Sequence, residues 1–235
     1  MKIMRIRFYT VLITCTILSY SALAQERAVT QTHETQAAIT PAQALQILKD
    51  GNKRFCSEKM LHRSFPEQVK ETAKHQYPFA AVVSCMDSRT SSELVFDQGI
   101  GDIFSIRVAG NVINKDVLGS LEYAAKVTGV KLIMVIGHTQ CGAIKGACDG
   151  VKLGNLTELL EKIKPAIDAV PQTVQPRTSK NHEFVEDVAK ANVELSIKEI
   201  TEQSPLLKEL ADQHKIALVG AMYDISTGQV TFYEH

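Results

Sequence analysis

The sequence has 235 residues, and its 26 lysines and arginines are balanced by 26 aspartates and glutamates. A chain without net charge lacks the basic surface that holds nucleic acid or anionic lipid, so we expect a small-molecule substrate and no nucleic-acid partner. Hydrophobic residues make up 45% of the chain, which is enough for one sizeable core, and 235 residues are few for two domains.

The first 24 residues have the pattern of an export signal. Lys2, Arg5 and Arg7 precede an apolar run over residues 11–18, and residues 22–24 (ALA) have the small-x-small form of a cleavage site. We therefore predict a signal peptide over residues 1–24, a periplasmic mature protein, and no stable membrane association after cleavage. The alternative is an uncleaved membrane anchor, for which the apolar run is short.

The mature chain is predicted to form one domain. Residues 25–39 are polar and predict a flexible lead-in, and the domain covers residues 40–235. Its first helix starts at Thr40 and Pro41, and Gly51 is positioned to end it. Further helical patterns occupy residues 67–74, 114–127, 156–169 and 185–200, and a short helix opens at Pro205.

Short apolar runs alternate with these helices. They predict strands at residues 79–84, 103–108, 132–136 and 216–222, followed by an edge strand at residues 229–233. This alternation indicates an α/β fold, with a mostly parallel central sheet of about four strands plus an edge strand, flanked by helices.

Metal-binding residue types follow two of the predicted strands directly. Cys85 comes after the first strand, while His138 and Cys141 come after the third. Because ligands of open α/β sheets collect at the carboxyl ends of the strands, we expect these side chains to meet. Thiolates and imidazole suit zinc, and three protein ligands leave a fourth position for water, as in catalytic sites. A zinc ion there lowers the pKa of its water and supplies hydroxide near neutral pH.

Other roles are open for the cysteines of an exported protein. Cys85 and Cys141 could instead form a disulfide or remain buried and inert. Cys56 and Cys148 have no assigned role and are either free or bridged. Cys148 as a fourth metal ligand would block the open position.

Asp87 and Arg89 lie in the same loop as Cys85. One interpretation is an ordinary surface ion pair, which would contribute little. The functional interpretation is a dyad, in which Arg89 keeps Asp87 ionised so that its carboxylate orients the hydroxide at the zinc. Asp87 could also bind zinc directly as a fourth ligand, which would close the site.

Taken together, these motifs resemble those of the β-class carbonic anhydrases over about residues 48–223. The matching segments are residues 51–55 (GNKRF), 84–89 (SCMDSR), 107–111 (RVAGN), 120–123 (SLEY) and 137–142 (GHTQCG). The resemblance implies reversible hydration of carbon dioxide to bicarbonate and a proton. It also implies one Zn²⁺ per subunit, held by Cys85, His138 and Cys141, with Asp87 and Arg89 as the catalytic dyad.

The resemblance further implies a substrate pocket and an assembly. The substrate-binding positions that it assigns are Gln76, Phe104, Ala109, Tyr123 and the backbone N–H of Gly142. In the family some pocket residues come from a neighbouring subunit, so a homodimer or homotetramer is expected, with the N-terminal helices packed on the partner. Independently of the resemblance, His62, His75 and Tyr123 are candidates for passing the product proton to solvent, and a surface or structural role is the alternative for each histidine.

Two features leave questions open. Some family members have a non-catalytic bicarbonate site that uses a tryptophan, and this chain has none. Related folds with the same metal ligands hydrolyse carbon disulfide or carbonyl sulfide. A periplasmic zinc-binding or redox module without turnover is a further alternative, although the chain lacks the C-x-x-C pattern of thioredoxin-like proteins.

Overall fold

A computed structural model describes residues 29–233, so the predicted signal peptide lies outside the described residues. The chain forms one five-stranded sheet with the order β2-β1-β3-β4-β5. The strands are β1 (Ala80–Ser84), β2 (Ile103–Arg107), β3 (Leu132–His138), β4 (Ala217–Tyr223) and β5 (Val230–Tyr233). Strands β1 to β4 are parallel, and β5 pairs antiparallel with β4. The predicted fold class is confirmed.

Helices cover both faces of this sheet. They are α1 (His33–Ala38), α2 (Pro41–Cys56), α3 (Phe65–Thr72), α4 (Ser92–Val95), α5 (Lys115–Glu122), α6 (Gly142–Cys148), α7 (Gly154–Glu161), α8 (Lys164–Ala169), α9 (His182–Gln203) and α10 (Pro205–Asp212). Alternate residues of β1 face two separate hydrophobic clusters, one with Ala81 and Val83 and the other with Ala80 and Val82. Burial on both faces is why β1 and β3 are continuous apolar runs rather than alternating ones.

Three helix predictions differ from the structure. The helix predicted to end at Gly51 is α2, and it continues to Cys56. Gly51 allows α2 to pack closely against the backbone of Phe96, because a Cβ there would lie 1.8 Å from the carbonyl oxygen of Phe96. The pattern at residues 156–169 divides into α7 and α8. The pattern at residues 114–127 ends in a π-helical turn over Tyr123–Val127.

Part of the polar lead-in is helical. Thr32 caps α1, whose Gln36 is buried and donates hydrogen bonds to the carbonyl oxygens of Pro78 (2.6 Å) and Thr128 (2.8 Å). The hydrogen bonds of this buried amide connect α1 with the segment that precedes β1, so the N-terminal helix packs on the domain. Among residues 29–233, no helix combines the length and hydrophobicity needed to cross a bilayer.

Close packing of α9 against the sheet fixes the end of β3. A Cβ on Gly137 would lie 2.8 Å from a methyl carbon of Val193 on α9 and 2.7 Å from the sulfur of Met222 on β4. A glycine is therefore needed where the helix approaches the sheet. The strand continues two residues further than predicted from its apolar run and places His138 at its end.

Candidate metal centre and active site

Two loops meet at the carboxyl edge of the sheet. Strands β1 and β3 are neighbours, with Ser84 opposite Ile136, so the residues that follow them lie side by side. Cys85 follows β1, His138 ends β3, and Cys141 directly precedes α6. All three side chains are buried. The expectation that these side chains meet is confirmed.

The three side chains form a candidate metal site. Their ligand atoms lie within 4.8 Å of one another, and the sulfurs of Cys85 and Cys141 are 3.9 Å apart. Both cysteines are free, and this separation is about twice a disulfide bond length, so the disulfide interpretation is wrong for this structure. Two sulfurs and an imidazole within this distance match the donor set that zinc prefers.

The histidine has the arrangement of a metal ligand. Its Nδ1 lies 2.9 Å from the carbonyl oxygen of Thr139, which assigns the ring proton to Nδ1 and leaves Nε2 as an acceptor. Nε2 is buried and has no hydrogen-bond partner. Because a buried acceptor without a partner is unfavourable, a metal ion fits this position.

The protonation of the two thiols also favours a bound cation. A hydrogen bond from Cys141 lowers the pKa of Cys85, whereas donating that hydrogen bond, burial and the negative charge of Cys85 raise the pKa of Cys141. One thiolate therefore forms readily, but the second needs a compensating positive charge. A divalent cation supplies that charge.

Asp87 and Arg89 contact each other beside these ligands. The guanidinium of Arg89 donates from Nε to Oδ1 of Asp87 (2.9 Å) and from Nη2 to Oδ2 (2.7 Å). The backbone N–H of Arg89 also donates to Oδ1 (2.9 Å). This pairing lowers the pKa of Asp87 well below its usual range. The Oδ2 atom lies 4.0 Å from Nε2 of His138. The carboxylate thus borders the metal site while both its oxygens are held by Arg89.

The loop after β1, which carries Cys85 and Asp87, is held by hydrogen bonds from residues that the sequence did not indicate as part of the site. Thr90 donates its hydroxyl to the carbonyl oxygens of Cys85 (3.0 Å) and Asp87 (2.9 Å). Arg107 donates to the same two carbonyls, and Gly110 N–H approaches the Cys85 sulfur at 3.4 Å. Sequence reasoning assigned no role to these residues. The only available signal was that Arg107 and Gly110 belong to the RVAGN motif.

The proposed substrate residues are only partly assembled. Phe104 and Tyr123 form an edge-to-face pair with ring centroids 6.4 Å apart and line an open groove of about 680 Å³ beside the edge strand β2. Ala109 neighbours Gly110, and exposed Gly142 begins α6 after Cys141. Gln76 lies elsewhere, because it precedes β1 whereas Cys85 follows it, and the five residues of β1 extend roughly 16 Å.

The remaining candidates are spread over the surface. His62 and His75 are exposed, and the ring of His75 lies 6.3 Å from that of Tyr77. Cys56 donates to the carbonyl oxygen of Gly228 (3.1 Å), and Cys148 ends α6. Both of these cysteines are free thiols. Cys148 is not part of the metal-ligand cluster found among the described residues.

Comparison with known proteins identifies the family. A family model described as carbonic anhydrase matches residues 80–230, which include β1 to β4 and the candidate metal site. The chain belongs to the β-class carbonic anhydrases. It is 32% identical over 201 residues to carbonic anhydrase 2 of Mycobacterium tuberculosis, covering 83% of this chain and 94% of that protein. It is 34% identical, with the same coverage, to a carbonic anhydrase of Mycolicibacterium smegmatis.

Solved structures agree with this assignment. A tetrameric β-carbonic anhydrase from Sordaria macrospora superposes with a TM-score of 0.63 at 26% identity, over 72% of this chain and 87% of that one. A β-carbonic anhydrase from Coccomyxa has the same fold, with a TM-score of 0.64 at 22% identity over 80% of this chain and 85% of that one. This carbonic anhydrase therefore has the family's sheet, with its cysteine and histidine cluster at the carboxyl edge.

Proposed function

We propose that this chain catalyses the reversible hydration of carbon dioxide to bicarbonate and a proton at a zinc ion held by Cys85, His138 and Cys141. The observation that carries the proposal is the buried cluster of two free sulfurs and an unpartnered Nε2 within 4.8 Å of one another. When bound, zinc would lower the pKa of a coordinated water and so provide hydroxide for attack on carbon dioxide near neutral pH.

Asp87 would orient the reacting oxygen. Because Arg89 keeps its carboxylate ionised, Asp87 can accept a hydrogen bond at this position but cannot donate one. The Asp87 carboxylate therefore favours a reacting group that donates a hydrogen bond to it. This hydrogen bond would orient the group so that its lone pair faces the substrate. The same pairing opposes movement of the carboxylate onto the metal, since that movement would cost Arg89 its hydrogen bonds.

The substrate pocket would be completed by a second copy of the chain. Phe104 and Tyr123 supply aromatic surface in the open groove beside β2, which suits an uncharged substrate. Gln76 lies at the opposite end of β1, so it would reach a pocket only in another subunit. The tetrameric relative from Sordaria macrospora supports a homodimer or homotetramer. We expect one zinc per subunit and N-terminal helices packed on the partner.

We further propose that the enzyme acts in the periplasm. The support is the pattern of residues 1–24, with its basic start, apolar run and small-x-small end. Mass spectrometry of the periplasmic fraction should find a mature chain beginning at Gln25. A chain that retains Met1 in the membrane fraction would contradict this localisation.

The direct test is to measure carbon dioxide hydration by the purified protein with stopped-flow indicator kinetics. The metal content of the same sample should be determined. We expect one zinc per chain and hydration that disappears when a chelator removes the metal and returns when zinc is added back. Carbon disulfide and carbonyl sulfide should be assayed in parallel. Hydrolysis of either sulfur compound without carbon dioxide hydration would overturn the proposed substrate.

A further inference from the structure

The segment between the second and third ligands has an unusual backbone. We call residues 138–142 the metal loop. Within it Gln140 has a φ of +58°, in the left-handed region that residues other than glycine seldom occupy. Gln140 directly precedes Cys141, so its conformation sets the direction in which the chain delivers that sulfur toward Cys85.

Three contacts from outside the metal loop hold Gln140. Its backbone N–H donates to Oε1 of Glu186 (3.2 Å), and its side-chain Nε2 lies 3.2 Å from Nδ1 of His182. Lys145 of α6 donates to its side-chain oxygen (2.5 Å). His182 and Glu186 lie four residues apart on α9 and therefore project from the same face of that helix.

The neighbouring residue of the loop is also restrained. The backbone N–H of Thr139 donates to the carbonyl oxygen of Tyr223 (3.0 Å), and its hydroxyl accepts from the N–H of Ile225 (3.1 Å). Both residues between His138 and Cys141 are thus fixed by other elements, Thr139 by the end of β4 and Gln140 by α9 and α6.

We infer that Glu186 and His182 are positioning residues, which act through Gln140 to hold Cys141 in the geometry that binds the metal. This inference rests on the proposed zinc site. Glu186 stabilises the left-handed backbone by accepting the Gln140 N–H, while His182 and Lys145 fix the side chain of Gln140. Without these contacts Gln140 would relax toward ordinary backbone conformations, and the metal would have to reorder the loop when it binds.

The first test measures zinc affinity by competition with a chromophoric chelator. We expect Glu186→Ala to weaken zinc binding about tenfold, the lower end of the loss seen when outer contacts of metal ligands are removed. Glu186→Gln keeps an acceptor oxygen and should restore most of the affinity. Glu194→Ala removes an exposed carboxylate from the same helix without contacting the loop, and should bind zinc as the wild type does. The cobalt-substituted proteins should show a changed ligand-field spectrum only for Glu186→Ala.

The second test uses Gln140→Gly, which tolerates the left-handed backbone but removes the side chain that His182 and Lys145 contact. His182→Ala should weaken zinc binding severalfold in the wild type and have no effect in the Gln140→Gly background. Equal losses in both backgrounds, or wild-type zinc affinity in Glu186→Ala, would overturn the inference. If the wild type itself bound no zinc, the proposed metal site would fail instead, so the two failures are distinguishable.

Discussion

The two ends of the central sheet differ in how complete they are within one chain. At the carboxyl edge, Cys85, His138 and Cys141 meet in a buried cluster, and hydrogen bonds brace the loops that carry them. At the amino edge, Gln76 is exposed in the loop that leads into β1, at the end of the strand opposite to Cys85. The contrast fits the proposal that a single chain binds the metal, whereas a second copy completes the substrate pocket.

The largest effect is expected at the carboxyl edge. Cys85→Ser replaces a soft sulfur ligand by a hydroxyl, so zinc and carbon dioxide hydration should be lost together while the fold is retained. Metal analysis, stopped-flow hydration and circular dichroism measure the three properties on one sample. Cys148→Ser is the matched control and should keep both zinc and activity. An active but zinc-free Cys85→Ser protein would contradict the proposed role of the cluster.

A smaller loss is expected when the metal can still bind. Asp87→Asn keeps the size of the side chain but removes the negative charge that Arg89 holds, so hydration should fall by about 100-fold. Zinc content should be unchanged, because Asp87 is not one of the three clustered ligands. Unchanged hydration at full zinc loading would mean that the Asp87 carboxylate does not orient the reacting group.

A different response is expected from a buried ion cluster that supports the fold. Asp97 is fully buried, and it accepts hydrogen bonds from Arg54 (2.6 Å), Arg63 and the backbone N–H of Leu61 (3.2 Å). Asp97→Ala leaves the two guanidinium groups without this partner, so the free energy of unfolding should fall by about 3–5 kcal/mol. Chemical denaturation measures this loss. Below the transition, the variant should still bind zinc at wild-type stoichiometry, and specific loss of zinc would contradict a purely structural role.

The smallest effect concerns a thiol outside the metal site. Burial raises the pKa of Cys148 to about 11, so its neutral form predominates below that pH. Alkylation of Cys148 by iodoacetamide should be slow at pH 8 and accelerate as the pH approaches 11, because the thiolate is the reactive form. Peptide mapping of zinc-loaded protein measures the labelling of this residue. Rapid labelling at pH 8 would contradict a raised pKa of the Cys148 thiol.

Sequence reasoning was most accurate where one signal was sufficient. Buried apolar runs located β1 and β3, and the residues after them located Cys85, His138 and Cys141 at one edge of the sheet. It failed where local signals competed with packing. Gly51 was expected to end a helix, yet it lies inside α2 because its missing Cβ allows contact with the Phe96 backbone.

Other features depend on contacts between distant parts of the chain. Gln36 lies in the segment for which the sequence predicts a flexible lead-in, but it hydrogen-bonds to Pro78 and Thr128, 42 and 92 residues away. The contacts of Gln140 with His182 and Glu186 likewise join residues 42 and 46 positions apart. No periodicity or motif encodes such pairs, since they exist only after the helices pack on the sheet.

The central claim is that two sulfurs and one imidazole nitrogen bind one zinc ion at the carboxyl edge of the sheet. X-ray absorption spectroscopy at the zinc edge tests it most directly. The account predicts two sulfur neighbours at about 2.3 Å and two nitrogen or oxygen neighbours at about 2.0–2.1 Å. A zinc ion surrounded only by nitrogen and oxygen, or one with four sulfur neighbours, would contradict the claim.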